Sequence, residues 1–91
     1  MQLKFSKRFK KSYSKLNKVQ QKNADKTILL FIKDPFHKKL RNHGLKGRYE
    51  GVRSIDAGFD LRILFTQKEE GNKTIVVAVM VDVGTHAQLY G

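Results

Sequence analysis

Residues able to move protons near neutral pH are few in this sequence, which has three histidines, and two of these lie in short polar segments. His43 lies in Leu40-Arg41-Asn42-His43-Gly44, and His86 follows Gly84-Thr85 directly after a β-branched run. Asp56 and Asp60 stand on either side of Gly58. Arg41, Lys46, Arg53 and Arg62 are cations expected near the same end of the sheet. Metal-free cleavage of a phosphodiester in RNA needs a base for the 2′-hydroxyl proton, an acid for the leaving 5′-oxygen, and cations around the crowded phosphate. Histidine suits either proton role because its unperturbed pKa, ~6.5, lies close to operating pH. The inventory permits this chemistry without being specific to it. Taken singly, neither histidine is distinguished from an ordinary loop side chain, and both aspartates suit a tight turn. His37, beside Pro35-Phe36, is the least suggestive of the three. With no local two-histidine spacing and no cysteine, no metal site is expected.

Two loops and a strand end must hold these groups, so the elements around them matter. Ser6 sits where an N-cap would, and Phe5, Phe9, Tyr13 and Leu16 recur at spacings of four and three, which is one face of a helix. A second helical pattern covers residues 21–33, with Ala24, Thr27, Ile28, Phe31 and Ile32 on a shared face. Pro35 disfavours the helical conformation at Asp34 and ends it. The segment from Pro35 to Arg48 has no period and reads as a long loop, of the kind that carries function in a small domain. Gln2–Phe5 alternates as a short strand does. Arg48–Asp56, Leu61–Thr66 and Thr74–Val83 read as three further strands, with turns at Ala57-Gly58 and Glu69–Asn72. The closing GTHAQLYG suits one helical turn. These elements predict an α+β domain over residues 1–91, with two N-terminal helices as an antiparallel hairpin on one face of a small antiparallel sheet.

Composition narrows the partners. The 91 residues hold 19 Lys+Arg against 8 Asp+Glu, a net charge of +11. Residues 1–26 carry nine of those cations and one acid, and residues 33–53 carry seven and two. Such a field attracts polyanions and accelerates encounter with them, so nucleic acid is the favoured partner and an acidic protein segment a compatible one. The absence of cysteine suits a reducing cytoplasm. The N-terminal MQLKFSKRFKK is charged where a signal peptide needs an apolar run, and no stretch is long enough to span a bilayer, so a cytoplasmic protein is expected.

Several segments together resemble a known family. FKKSYSKL (9–16), DPFHKKLRNHGLKG (34–47), GVRSI (51–55), DLRILF (60–65) and VGTHAQLYG (83–91) resemble, in order, the YafQ-type toxins of the RelE/ParE superfamily. The similarity runs from about Phe5 to the last residue, and its most specific parts are the LRNH-x-LKG loop and the VGTH-xx-LYG ending. The resemblance implies a bacterial type II toxin that cuts mRNA in the ribosomal A site, a RelE-like fold, no cofactor, and a neutralising antitoxin. An acidic antitoxin carrying its own DNA-binding domain would confine operator binding to the complex. Residue by residue, the resemblance places His43, Asp60, Arg62 and His86 in the catalytic set, and Tyr90 as an aromatic stacking on a base. Arg41, Lys46, Arg53 and Asp56 are expected beside the substrate. The roles it suggests are His86 as acid, His43 or Asp60 as base or its orienter, and Arg62 with Arg53 on the phosphate. Two positions depart from the pattern: Asp56 stands where some members carry a histidine, and Leu61 where they carry a tryptophan. The rival expectations are a gyrase-inhibiting toxin of the ParE type and a non-catalytic RNA-binding domain of the same fold.

Overall fold

The computed structural model describes residues 1–71 and 74–91, so the expected turn at Glu69–Asn72 lies outside the described residues at Asn72. The chain runs β1 (Gln2–Phe5), α1 (Lys7–Ser14), α2 (Lys18–Lys33), β2 (His43–Gly44), β3 (Arg53–Asp56), β4 (Leu61–Glu70), β5 (Thr74–Thr85) and α3 (His86–Tyr90). Two 3-10 turns, Lys38–Leu40 and Gly47–Tyr49, shape the segment between α2 and β3.

Local chemistry sets the helix ends. The Ser6 hydroxyl accepts from the Phe9 amide at 3.0 Å, which caps α1, and donates to the Val81 carbonyl at 2.8 Å, which docks the cap on β5. Asn17 and Gln20 form a reciprocal capping box that starts α2 at Lys18, three residues before the expected position. Leu16 therefore lies in the link between the helices and not on α1. As Pro35 requires, α2 ends at Lys33.

The sheet order is β1-β5-β4-β3-β2. Pairings among β2, β3, β4 and β5 are antiparallel, as expected, whereas β1 lies parallel to β5, with Leu3 opposite Ala78. The sheet is thus mixed. The helices between β1 and the rest of the chain supply the crossover that a parallel pair needs.

Alternation sorts the side chains onto two faces. Ile55, Leu61, Ile63, Phe65, Met80 and Val83 meet Phe9, Ala24 and Phe31 in the main core. Phe31 of α2 meets Phe65 of β4 edge to face, with centroids 4.8 Å apart. Ile32, expected on the same helix face, is exposed. On the opposite face the register aligns His43 with Ser54, Ser54 with Leu64, and Asp56 with Arg62. There α3 folds back over β5 and buries Leu89. A Cβ at Gly84 would lie 3.0 Å from the Gln88 Oε1 and 3.3 Å from the Gln88 Cβ, so a side chain there would press on the residue that completes the cap of α3.

Candidate functional site

His43, Leu45, Ser54, Arg62, His86 and Tyr90 line one hollow of about 300 Å³ on the face that α3 covers. They come from four places: β2 and the residue after it, β3, β4, and α3. Rigid strands set three of its sides, and the helix sets the fourth.

His43 is exposed on the two-residue strand β2, which pairs with β3. Its Nδ1 lies 2.7 Å from the Arg41 carbonyl oxygen. A carbonyl only accepts, so this contact is a hydrogen bond in the tautomer with the proton on Nδ1, which in the neutral ring leaves the lone pair on Nε2. The strand register therefore holds an imidazole with its basic nitrogen away from the backbone.

His86 is the first residue of α3. Thr85 caps that helix through a capping box with Gln88, which fixes where β5 stops and where the imidazole emerges. One turn on, the Tyr90 ring lies 4.8 Å from the His86 ring. Tyr49 meets Tyr90 edge on at 5.6 Å, and its hydroxyl donates to the Leu89 carbonyl at 2.8 Å. Arg48 stands over the outer side of the Tyr49 ring at 5.2 Å. Three rings in sequence thus pin α3 against the 3-10 turn Gly47–Tyr49.

Arg62 points into the hollow from β4. Asp56, its partner in the register, holds the Arg62 Nε at 3.1 Å, and the Arg62 Nη1 donates to its own neighbour's carbonyl, that of Leu61, at 3.0 Å. The Asp56 carboxylate also reaches Arg41, at 3.7 Å. The side chains of Arg62 and Asp56 are 22 % and 17 % exposed, against 75 % for Arg41, so the inner pair is the better shielded from water.

Other expected site residues stand apart. Arg53 pairs in the register with Phe65, which puts it on the opposite sheet face from Ser54, Asp56 and Arg62. Its Nε donates to the Asn42 Oδ1 at 2.8 Å, and its guanidinium lies 6.0 Å from the Phe36 ring centre. The Asn42 Nδ2 in turn donates to the Pro35 carbonyl at 2.9 Å. Arg53 is therefore engaged as an anchor of the loop that carries His43. Asp60 is exposed in the β3–β4 turn and does not line the hollow. Lys46 is exposed just before the second 3-10 turn.

Sequence reasoning missed Tyr49, Asn42 and Ser54. Ser54 left a trace, as a small polar residue between apolar positions of a strand. Tyr49 left none, because the sequence pattern puts it inside a strand from Arg48, which the 3-10 turn and Gly51 at φ 89° delay until Arg53. Among the described residues, no three His, Cys, Asp or Glu side chains gather as metal ligands, and no helix is long and apolar enough to cross a membrane.

Two helices on one face of this mixed sheet, with a short C-terminal helix folded back at its end, make a RelE/YoeB-like fold. The chain belongs to the YafQ family: the family model described as "Bacterial toxin of type II toxin-antitoxin system, YafQ" matches residues 1–91. A comparison with curated proteins finds no match. Among solved structures, YafQ from E. coli superposes with a TM-score of 0.71 at 21 % identity, covering 98 % of this chain and 97 % of that one. A YoeB/ParE toxin from Agrobacterium tumefaciens gives 0.72 at 16 %, covering 94 % and 99 %. The toxin in an E. coli DinJ–YafQ complex gives 0.64 at 19 %, covering 98 % and 97 %.

Proposed function

We propose that this toxin is an endoribonuclease that cuts mRNA in the ribosomal A site and so stops translation in the bacterial cytoplasm. The observation that carries the reading is that His43, Arg62 and His86 line a single hollow. In the reaction, the lone pair on the His43 Nε2 takes the 2′-hydroxyl proton, and the 2′-oxygen attacks the adjacent phosphorus. The bond to the 5′-oxygen breaks as the His86 imidazolium delivers a proton to it, leaving a 2′,3′-cyclic phosphate and a 5′-hydroxyl. Arg62, held in place by Asp56, faces the added negative charge on the phosphoryl oxygens. Tyr90 offers a ring for one base beside the scissile bond. The exposed Asp60 serves as an outer acid that orients the substrate, and Arg41 and Lys46 as exposed cations on the RNA path. Arg53, already bonded to Asn42, serves the reaction through the loop.

The DinJ–YafQ complex gives a relative of this fold bound to an antitoxin. A similar partner for this chain, with an acidic segment to cover its positive surface, is part of the proposal, and operator recognition would then belong to the complex. Primer extension on cellular mRNA after a brief induction tests the main reading. Cuts in phase with codons are expected from the wild type and none from a folded His86→Ala variant. Intact mRNA with a DNA-damage response would refute the reading in favour of a gyrase poison.

A further inference from the structure

Arg41 has φ 49° and ψ 44°, and among the described residues it is the only non-glycine residue with positive φ. Left-handed backbone is unfavourable for a residue with a Cβ, and such outliers persist where surrounding contacts dictate them. Here the 3-10 turn Lys38–Leu40 ends on Arg41, whose amide donates to the Lys38 carbonyl at 3.3 Å. The chain then reverses, and the reversal brings the Arg41 carbonyl to the Nδ1 of His43, two residues on. The same residue's guanidinium reaches the Asp56 carboxylate, which also holds Arg62.

We propose that the left-handed backbone of Arg41 is a positioning device that selects the tautomer of His43. An unconstrained imidazole distributes its proton over both ring nitrogens. With the Arg41 carbonyl at 2.7 Å, the proton is confined to Nδ1, and Nε2 is left as the sole basic nitrogen. The charged and titratable groups that share the hollow with His43 are Arg62 on β4 and His86 and Tyr90 on α3. None of them hydrogen-bonds its ring, so the carbonyl makes the choice. The guanidinium plays a separate part, because through Asp56 it ties the histidine loop to the cation at the centre of the hollow. Arg41 thus acts through His43 and is not itself at the reacting atoms. The use of this tautomer in cleavage rests on the proposed function, but the tautomer itself does not.

Substitutions that separate backbone from charge test the idea. Arg41→Gly removes the guanidinium and keeps a residue at ease in the left-handed region, whereas Arg41→Val makes that region costly. The full chain is labelled with 15N at its histidines, His43 is assigned by comparison with His43→Gln, and ring nitrogen shifts are read where the imidazole is neutral. Wild type and Arg41→Gly are expected to carry the proton on Nδ1, and Arg41→Val to show a mixture of tautomers. On mRNA presented in the ribosomal A site, Arg41→Gly should raise KM more than it lowers kcat, while Arg41→Val should also lower kcat by about tenfold. If the valine variant does not fold, Arg41→Ala takes its place with a smaller expected shift. An Nε2-protonated His43 in the wild type overturns the proposal, and so do equal tautomer populations in the glycine and valine variants. Wild-type protein that holds the Nδ1 tautomer yet leaves mRNA in the ribosomal A site intact would refute the ribonuclease reading and leave this one standing.

Discussion

Asn42 is the residue through which the loop that carries His43 is fastened, and replacing it with alanine gives a measurable consequence. The side chain makes two bonds: its Nδ2 donates to the Pro35 carbonyl at 2.9 Å, and its Oδ1 accepts from the Arg53 Nε at 2.8 Å. A neutral bond of this kind contributes about 0.5–1.5 kcal/mol and one to a charged group about 1.5–3 kcal/mol. Both sites are half-buried, so water replaces part of each, and the loss settles near the lower end, about 2 kcal/mol. The loss falls on the segment between α2 and β3, not on the core. At 1.4 kcal/mol per factor of ten, the loop should open about 30-fold more often. Native-state hydrogen exchange reads this directly, because the Leu40 amide bonds to the His37 carbonyl and the Leu45 amide to the Val52 carbonyl. Both should exchange about 30-fold faster in Asn42→Ala, with smaller changes in the amides of β5. Asn42→Asp keeps the acceptor for Arg53 and loses the donor to Pro35, so it should fall between. Exchange of Leu40 and Leu45 within threefold of wild type would show that Asn42 does not fasten the loop.

Two further outcomes follow from groups outside the hollow's lining. Tyr49→Phe removes the hydroxyl bond to Leu89 while keeping the ring against Tyr90, and should lower stability to urea by about 1 kcal/mol; an unchanged unfolding midpoint would count against the pinning of α3. Tyr13 donates to the Asp25 Oδ1 at 2.8 Å, and that bond, then burial, then the Asp25 charge, all raise its pKa above the ordinary 10.0. With the folded value raised, its contribution to stability is fully present below about pH 10 and is lost as pH rises through the folded value. Tyrosinate absorbance should show Tyr13 titrating late, and Asp25→Ala should bring it back towards the ordinary value; a titration unmoved by that substitution refutes the assignment.

How much of this was legible in the sequence depends on the range of the signal. Phe9, Tyr13, Ile28 and Phe31 announce their helices because helical spacing is local, and β4 and β5 do so through β-branched alternation. The four residues of β1 contain nothing that names a partner or a direction, so their parallel pairing with β5 was out of reach. Strand β2 is two residues long and exists only because β3 is beside it. The same limit governs the site. His43, Arg62, His86 and Tyr90 could be singled out by type and resemblance. That Asp56 faces Arg62 is a matter of register, and that Arg53 faces the other way is a matter of parity along β3. Parity follows from Ile55 being a core residue, and would have set Arg53 apart once β3 was known to start there.

The order of assembly follows from where β1 is seated. Strand β1 pairs with β5, some seventy residues further along the chain, Ser6 bonds to Val81, and Arg8 bonds to Asp82 at 3.0 Å. On a translating ribosome the N-terminal strand and α1 must therefore wait, unpaired, until residues 74–85 have left the exit tunnel. Strand β4 likewise lacks its longest partner, and α3, with His86, lacks any existence at all. A nascent chain that stops short of α3 holds no hollow. The hollow closes only when the segment from β5 to α3 is in place, because His86 and Tyr90 come from it.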